Sequence, residues 1–519
     1  MSSEFKHDIH DLLIISLCYT LSFSLVILNS GIFWDDWILY GNSAQNIIAR
    51  FRSAGNAQSG YLHSFFQSLP HPILMYRLTV FVSYLFSAFA LYYILKNIVK
   101  ERTTRFFIII LCSLFPVNHC RFTMISATSA VYYLAFSLAA IVLFRPALLS
   151  KITFRIAAIV LFIFSFAINS FLVLYVFVFV CALLIEWSGF HSKIAFTRYA
   201  LTRTDFIVLP FAFYIYKLVY LAPYGSYLEY NRLSFDGVIH AFKWSPVSIY
   251  TSFIEPLLYS FDTLSYSVLL GGILLGSRIL SSQVAETSAD HHNKFFFIGL
   301  AFFCAANFPY LAVYKLPQLF NDWENRNQLL IPLGASFMLY FGGRIIFDAV
   351  RVPCSIQIYL FALIVMLFAK TNIEFQIMYE RDALKQLALI ENIKNSNIMR
   401  DNSAFVFDDR ALDNNVNQRI YRTYEYAGIL RTALPDGNRI GMDISDLSGF
   451  AENTRTTHKA DSSSQNKEIL FPQYRITIEN GEYHLTVPNM VRLKLRQFFT
   501  PKEFTQNIVK VVKLSYFKL

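Results

Sequence analysis

Uninterrupted apolar runs of roughly 18 residues or more constrain this chain more than any other feature of its sequence. A helix rises about 1.5 Å per residue, so a run of that length crosses the hydrocarbon core of a bilayer, which is about 30 Å thick. Only 15% of the residues are charged, against about 25% in a soluble domain. The predicted fold class is therefore mainly α, a polytopic membrane helical bundle.

The apolar pattern predicts about eleven transmembrane helices in the first part of the chain, residues 1–370. Basic residues accumulate at alternate ends of these spans, which predicts a cytoplasmic N-terminus and an extracytoplasmic C-terminus. This asymmetry accounts for much of the net charge of +10, so no nucleic-acid partner is expected. The predicted spans are 12–30, 72–95, 106–118, 123–144, two within 156–187, 205–222, 263–280, 295–313, 327–347 and 355–370.

The composition changes at Thr371, where charge rises and long apolar runs end. Residues 371–519 are predicted to form a small extracytoplasmic α/β domain. Asn480 and Gly481 lie between two alternating segments, a pattern typical of a β-hairpin turn. The predicted elements are helices 372–396 and 416–433, strands 404–407 and 439–444, a polar linker 451–467, and a hairpin pairing 474–478 with 483–487.

Four polar segments fall on the predicted outer side of the membrane, where they can converge on one cleft. The first contains Asp35 and Asp36, whose carboxylates can accept a proton from a hydroxyl or hold a divalent ion. Basic side chains in the other three segments are suited to binding an anionic phosphate. The four segments are the loop after the first span, the Asn118–His119–Arg121 turn, the loop 223–260, and the loop from Lys315 to Arg326.

Each of these residues also has a plain structural interpretation. Asp35 and Asp36 can cap a short interfacial helix, with Trp34 and Trp37 anchoring the headgroup region. Arg326 can extend its charge to the interface, and His119 can be an ordinary interface histidine. The sequence has no metal-binding motif of the HExxH type.

The first span ends in Trp34-Asp35-Asp36-Trp37 and is followed by a long external loop and many short spans. This arrangement resembles the C-type glycosyltransferase superfamily (GT-C) of polytopic membrane enzymes. The resemblance implies a sugar donor on a polyprenyl phosphate, with Asp35 or Asp36 as the catalytic base or as a ligand of a possible divalent cation, Mg or Mn. The residues predicted to bind substrate are Trp37, His119, Arg121, Lys315, Glu324 and Arg326.

The leading hypothesis is a hexosyl- or pentosyltransferase of the bacterial inner membrane. Its partners are a polyprenyl-phosphate-linked sugar, a cell-envelope glycan or lipid acceptor, and membrane lipids. A transporter or flippase is the first alternative, although Arg77, Lys217 and Asp348 lie towards the ends of their spans. A non-enzymatic membrane anchor for envelope assembly is the second.

Overall fold

The structure, a computed structural model, describes residues 3–187, 197, 200–228, 231–281, 292–315, 323–436, 439–446 and 472–519. The predicted linker 451–467 lies outside these residues. The chain forms two compact units that are interleaved in sequence. Unit 1 contains residues 1–28 and 42–374, and unit 2 contains residues 29–41 and 375–519.

The α-helices of the described residues are numbered in chain order. They are α1 Ser3–Phe23, α2 Asp36–Leu39, α3 Ala44–Ser53, α4 Ala57–Ser68, α5 Pro72–Leu95, α6 Arg102–Leu114, α7 Ala127–Leu143, α8 Pro146–Leu149, α9 Ile152–Ser165, α10 Ser170–Trp187, α11 Thr204–Tyr220, α12 Phe235–Ile249, α13 Glu255–Asp262, α14 Tyr266–Leu280, α15 His292–Leu311, α16 Ile331–Ala349, α17 Cys354–Lys394, α18 Asn397–Asp401, α19 Thr423–Ala433, α20 Val487–Phe499 and α21 Pro501–Ile508.

Five helices of the described residues are long and apolar enough to cross a membrane, or six if one bent pair counts as a span. The prediction of apolar membrane helices is thus confirmed in its coarse form. The predicted number of eleven transmembrane helices included shorter helices. Helix α6 has 13 residues and α14 has 15, so they are about 20 and 23 Å long. The five are Lys6–Leu28, Pro72–Leu95, Ser170–Trp187, His292–Leu311 and Cys354–Lys394.

Unit 1 is held together by close helix packing and by ion pairs at helix ends. Helices α15 and α16 touch at Gly299 and Gly334, and a Cβ atom on Gly334 would lie 2.4 Å from the Phe303 nitrogen. Small residues allow such backbone contact between membrane helices. Near the start of α1, Asp8 pairs with Lys96 at 2.5 Å and Asp11 pairs with Arg102 at 2.6 Å, which joins α1 to α5 and α6.

Unit 2 contains a four-stranded mixed sheet in the order β2-β1-β3-β4. The strands are β1 Ala404–Asp409, β2 Ile440–Asp443, β3 Tyr474–Asn480 and β4 Val512–Lys518. Strand β1 is parallel to both β2 and β3, whereas β4 is antiparallel to β3. The predicted strands 404–407 and 439–444 are confirmed as β1 and β2.

The predicted hairpin at Asn480-Gly481 is wrong. The partner of β3 is β4, and the segment after Gly481 turns towards Lys510 and then enters helix α20. A Cβ atom on Gly481 would meet the Lys510 carbonyl oxygen, so this glycine permits a backbone crossing and not a two-residue turn. Pro488 near the start of α20 favours the helix over a second hairpin strand.

Helix α17 is continuous over 41 residues and covers both the last predicted span and the first predicted helix of the C-terminal domain. No proline or glycine interrupts it, so the change from apolar to charged residues alters its surroundings without ending it. The boundary between the units falls inside this helix, after Glu374. The other predicted helix of the domain, 416–433, begins only at Thr423.

Candidate functional site

The first-loop acidic pair lies in unit 2, because residues 29–41 pack with the C-terminal part of the chain. The Gln386 amide exchanges hydrogen bonds with both backbone groups of Ile32, at 3.0 and 2.9 Å. Asp36 is fully buried, and its carboxylate accepts from the Phe33 N–H at 3.3 Å. Asp35 is only partly buried. The two neighbours therefore differ in their access to solvent.

Both tryptophans beside the acidic pair are buried in protein, so their predicted role as headgroup anchors is wrong. The Trp34 ring lies under the Arg419 guanidinium at 4.6 Å, and the backbone N–H of Trp34 donates to the Glu425 carboxylate at 3.1 Å. Trp37 packs against Gly428, where a Cβ atom would lie 2.2 Å from the ring. The predicted position of the acidic pair at the start of a short helix is confirmed, since Asp35 is the cap residue of α2 and Asp36 lies in its first turn, but the Asp35 side chain makes no capping hydrogen bond.

A buried polar network in unit 2 was not predicted from the sequence. Lys385 donates to both oxygens of Asp409, at 2.8 and 2.6 Å, and these side chains are almost completely buried. Arg419 pairs with Glu425 at 2.7 Å, and Asp382 accepts from the Tyr421 hydroxyl at 2.6 Å. The available signal was Asp409 at the end of a predicted strand, but sequence does not identify the buried cation that meets it.

Charge compensation explains why Arg419 can be buried in this network. Burial by itself lowers the pKa of its guanidinium, but Glu425 and Asp382 outweigh that effect and raise the pKa above its usual value. Every charge of this kind needs a partner, since removing water from an ion costs several kcal/mol. The network therefore connects the first loop to the sheet as part of the unit 2 core.

In unit 1 the structure brings together two of the predicted polar segments, the turn His119–Phe122 and the 3-10 segment Trp323–Gln328. The Asn325 amide oxygen accepts from the Cys120 N–H at 3.3 Å, and the Gln328 amide oxygen accepts from the Asn118 N–H at 3.2 Å. Asn325 also contacts the His119 ring. These side-chain amides satisfy buried backbone groups of the turn, so Asn325 and Gln328 hold the turn in one conformation.

Arg121 projects from this turn into an aromatic environment. It is 5% exposed, and its guanidinium lies over Phe23 at 4.1 Å, Phe122 at 5.0 Å and Tyr84 at 5.3 Å. Within the described residues, no carboxylate pairs with it and no side-chain hydrogen bond satisfies it. Aromatic faces compensate only part of the cost of burying a cation.

Arg121 lines a cavity of about 30 Å³ inside unit 1. Two other lining residues have buried polar atoms without a partner in the described chain, the Tyr84 hydroxyl and the Asn118 amide oxygen. Tyr19 and Tyr133 complete the aromatic wall. The volume matches about two water molecules or a small anionic group, and not a whole sugar. Arg121 and the Tyr84 hydroxyl can donate to an anion in this cavity, whereas the Asn118 amide oxygen can only accept a hydrogen bond.

The remaining predicted substrate-binding residues fall elsewhere. Lys315 bonds through its backbone N–H to the Tyr310 carbonyl and does not line this cavity. Arg326 is half-buried within the 3-10 segment Trp323–Gln328. The side chain of Glu324 lies outside the described part of the chain. Trp37 belongs to unit 2, where it packs on α19.

The described residues contain no group of three or more His, Cys, Asp or Glu side chains arranged to hold a metal ion. Mg²⁺ is often held by only one or two carboxylates, with water and phosphate oxygens as its other ligands, so a role for Asp35 or Asp36 in holding a divalent cation stays a prediction.

Comparisons with known proteins add no family to this description. Neither the known family models nor the curated proteins match the chain.

Proposed function

We propose that this protein is an integral membrane glycosyltransferase that moves a sugar from a polyprenyl-phosphate carrier to a cell-envelope glycan or lipid. One observation carries the proposal: Arg121 is 95% buried, faces a small cavity, and has no anionic partner among the described residues. A cation kept in such surroundings is stabilised when an anion enters. A phosphate is the anion that the polyprenyl-linked donor brings.

The reaction creates negative charge where Arg121 can meet it. The acceptor oxygen forms a bond to the anomeric carbon while the bond from that carbon to the carrier phosphate breaks. The electron pair of the broken bond stays on the phosphate oxygen, and a base takes the proton of the acceptor hydroxyl. Arg121 and the Tyr84 hydroxyl stabilise the departing phosphate, which gains charge only as the bond breaks.

The exposure of the acidic pair favours Asp35 over Asp36 as the base. A general base must come within hydrogen-bond distance of the proton it removes. Asp36 is fully buried and accepts a hydrogen bond within its own turn, whereas Asp35 is partly exposed. Asp35 is therefore the residue of the pair that we assign to proton transfer, and Asp36 shapes the loop.

In this proposal the N-terminus lies in the cytoplasm, and the C-terminal unit lies on the extracytoplasmic face of a bacterial inner membrane. Short helices complete about eleven crossings. The excess of Lys and Arg in the loops assigned to the inside supports this orientation. Alkaline phosphatase fused after Leu519 is expected to be active in intact cells. A green fluorescent protein that fluoresces at the same position would place the C-terminus inside and overturn the orientation.

Release of free polyprenyl phosphate from a lipid-linked sugar tests the proposal. Purified wild-type protein is compared with Arg121→Gln, and the rate is expected to fall about 10²- to 10³-fold, as when one donor to a developing anion is lost. Arg105→Gln is the matched control, because Arg105 is equally buried but donates to the carbonyls of Val99 and Lys100. Equal turnover by the wild type and the Arg121 variant would overturn the role of Arg121.

A transporter is the second candidate, and one observation favours it. The helical segments Phe235–Asp262 and Tyr266–Leu280 are long and apolar enough for a span when taken together, but they meet at a bend of 111°. Broken helices line the substrate path of many transporters. Movement of intact lipid-linked sugar across proteoliposomes, with no release of carrier phosphate, would favour this function over sugar transfer.

A further inference from the structure

Helix α20 of unit 2 has a long apolar stripe on its exposed side. The stripe consists of large side chains spaced by three or four residues, which places them within about 120° of the helix circumference. Each of them is 43% to 78% exposed, although the helix is part of a folded unit. The stripe is formed by Val487, Val491, Leu495, Phe498 and Phe499.

The opposite face fixes α20 in unit 2. Met490 and Leu493 are buried there, and Lys494 pairs with Glu380 of α17 at 2.7 Å. The helix therefore has a core face that is separate from the exposed stripe. A globular protein normally keeps the outward face of such a helix polar, so a continuous apolar stripe requires an explanation.

The charged side chains of α20 itself are all basic, although two of them pair with glutamates of unit 2. Helix α20 contains Arg492, Lys494 and Arg496 and no acidic residue. Arg492 is exposed next to the stripe, and Arg496 follows one turn later and lies 3.6 Å from the carboxylate of Glu503. Residues 472–519 as a whole carry eight Lys and Arg against three Glu. A partner of this face must therefore combine apolar contact with negative charge.

We propose that α20 lies on the membrane surface, with its apolar stripe in the headgroup region of anionic lipids. An apolar face bordered by basic residues is typical of helices that lie in the plane of the interface. The same chain contributes helices that can cross a bilayer, so unit 2 is tethered to a lipid surface. A second copy of the helix would instead bring like charges together.

Photo-crosslinking in the full-length protein tests this proposal. Benzoylphenylalanine is introduced at Leu495 or Phe498, where the side chain is already exposed and the fold tolerates a ring. The protein is placed in nanodiscs of phosphatidylglycerol and phosphatidylcholine, or of phosphatidylcholine alone. The same group at Asp401, an exposed polar position outside the stripe, is the control.

We expect lipid adducts at both stripe positions and none at Asp401. The double variant Arg492→Gln and Arg496→Gln is expected to lower adduct yield in anionic nanodiscs, by about five-fold for each charge removed. Crosslinks to another part of the chain would overturn the proposal and identify an internal contact. Crosslinks between two chains would overturn it in favour of a dimer. A lack of lipid adducts at both stripe positions would also overturn it. None of these outcomes depends on catalytic activity.

Discussion

Asp35 and Asp36 show how far identical neighbouring side chains can differ once the chain is folded. The sequence identified them as a pair but contained no information on which one would be buried. Burial is decided by residues distant in sequence, since Gln386 and Glu425 bind the backbone of the same loop. Functional candidates can thus be found by residue type, whereas their separate roles depend on tertiary packing.

The two aspartates lead to opposite predictions. Asp35→Asn is expected to abolish release of polyprenyl phosphate without changing the thermal midpoint, because its carboxylate is partly exposed. Asp36→Ala removes an acceptor of the buried Phe33 amide and is expected to lower stability by about 1 to 3 kcal/mol. Thermal unfolding and turnover, measured on the same preparations, separate the two effects. Full turnover in Asp35→Asn would exclude it as the base.

Arg121 was identified from the sequence as a possible phosphate ligand, but its surroundings were not. The aromatic residues that enclose it come from α1, α5 and the turn itself, and they are indistinguishable in sequence from lipid-facing residues. A tyrosine inside an apolar span is the signal that could have been used, because its hydroxyl needs a partner when buried. Tyr19, Tyr84 and Tyr133 all carry that signal.

At the scale of elements, helices and strands that are determined by neighbouring residues were predicted well. Features that depend on contacts between distant residues were not. Strands β1 and β2 were found because their apolar residues lie between polar breaks. The hairpin after β3 was wrong because the Asn-Gly signal does not distinguish a turn from a close backbone crossing. Helix α17 was divided in two because a change in polarity was interpreted as an element boundary.

The contact between α19 and the first loop leads to a prediction for Gly428. A methyl group at this position would overlap the Trp37 ring, so Gly428→Ala must displace either the helix or the loop. The expected cost is about 1 to 3 kcal/mol, seen as a lower thermal midpoint. Ala427→Ser, at the adjacent half-buried position, is the control and should leave the midpoint nearly unchanged. An unaltered midpoint in Gly428→Ala would show that the loop is not held in this way.

At the scale of the whole molecule, the interleaving of the two units could not be seen in the sequence. Composition divides the chain near residue 370, but residues 29–41 join the C-terminal unit across more than 330 positions of sequence. The predicted loop between the first two spans is thus partly a component of unit 2. Hydropathy identifies which segments leave water, but it does not show which folded unit a polar loop will join.

The most direct test of the proposed function is the binding of polyprenyl phosphate, without sugar, to the full-length protein in nanodiscs. The wild type is expected to bind it, and Arg105→Gln is expected to bind it equally well. Arg121→Gln should bind it at least about ten-fold more weakly, since a hydrogen bond to a charged group contributes about 1.5 to 3 kcal/mol. Equal affinity in all three proteins, or no binding by the wild type, would contradict the assignment of Arg121 to the carrier phosphate.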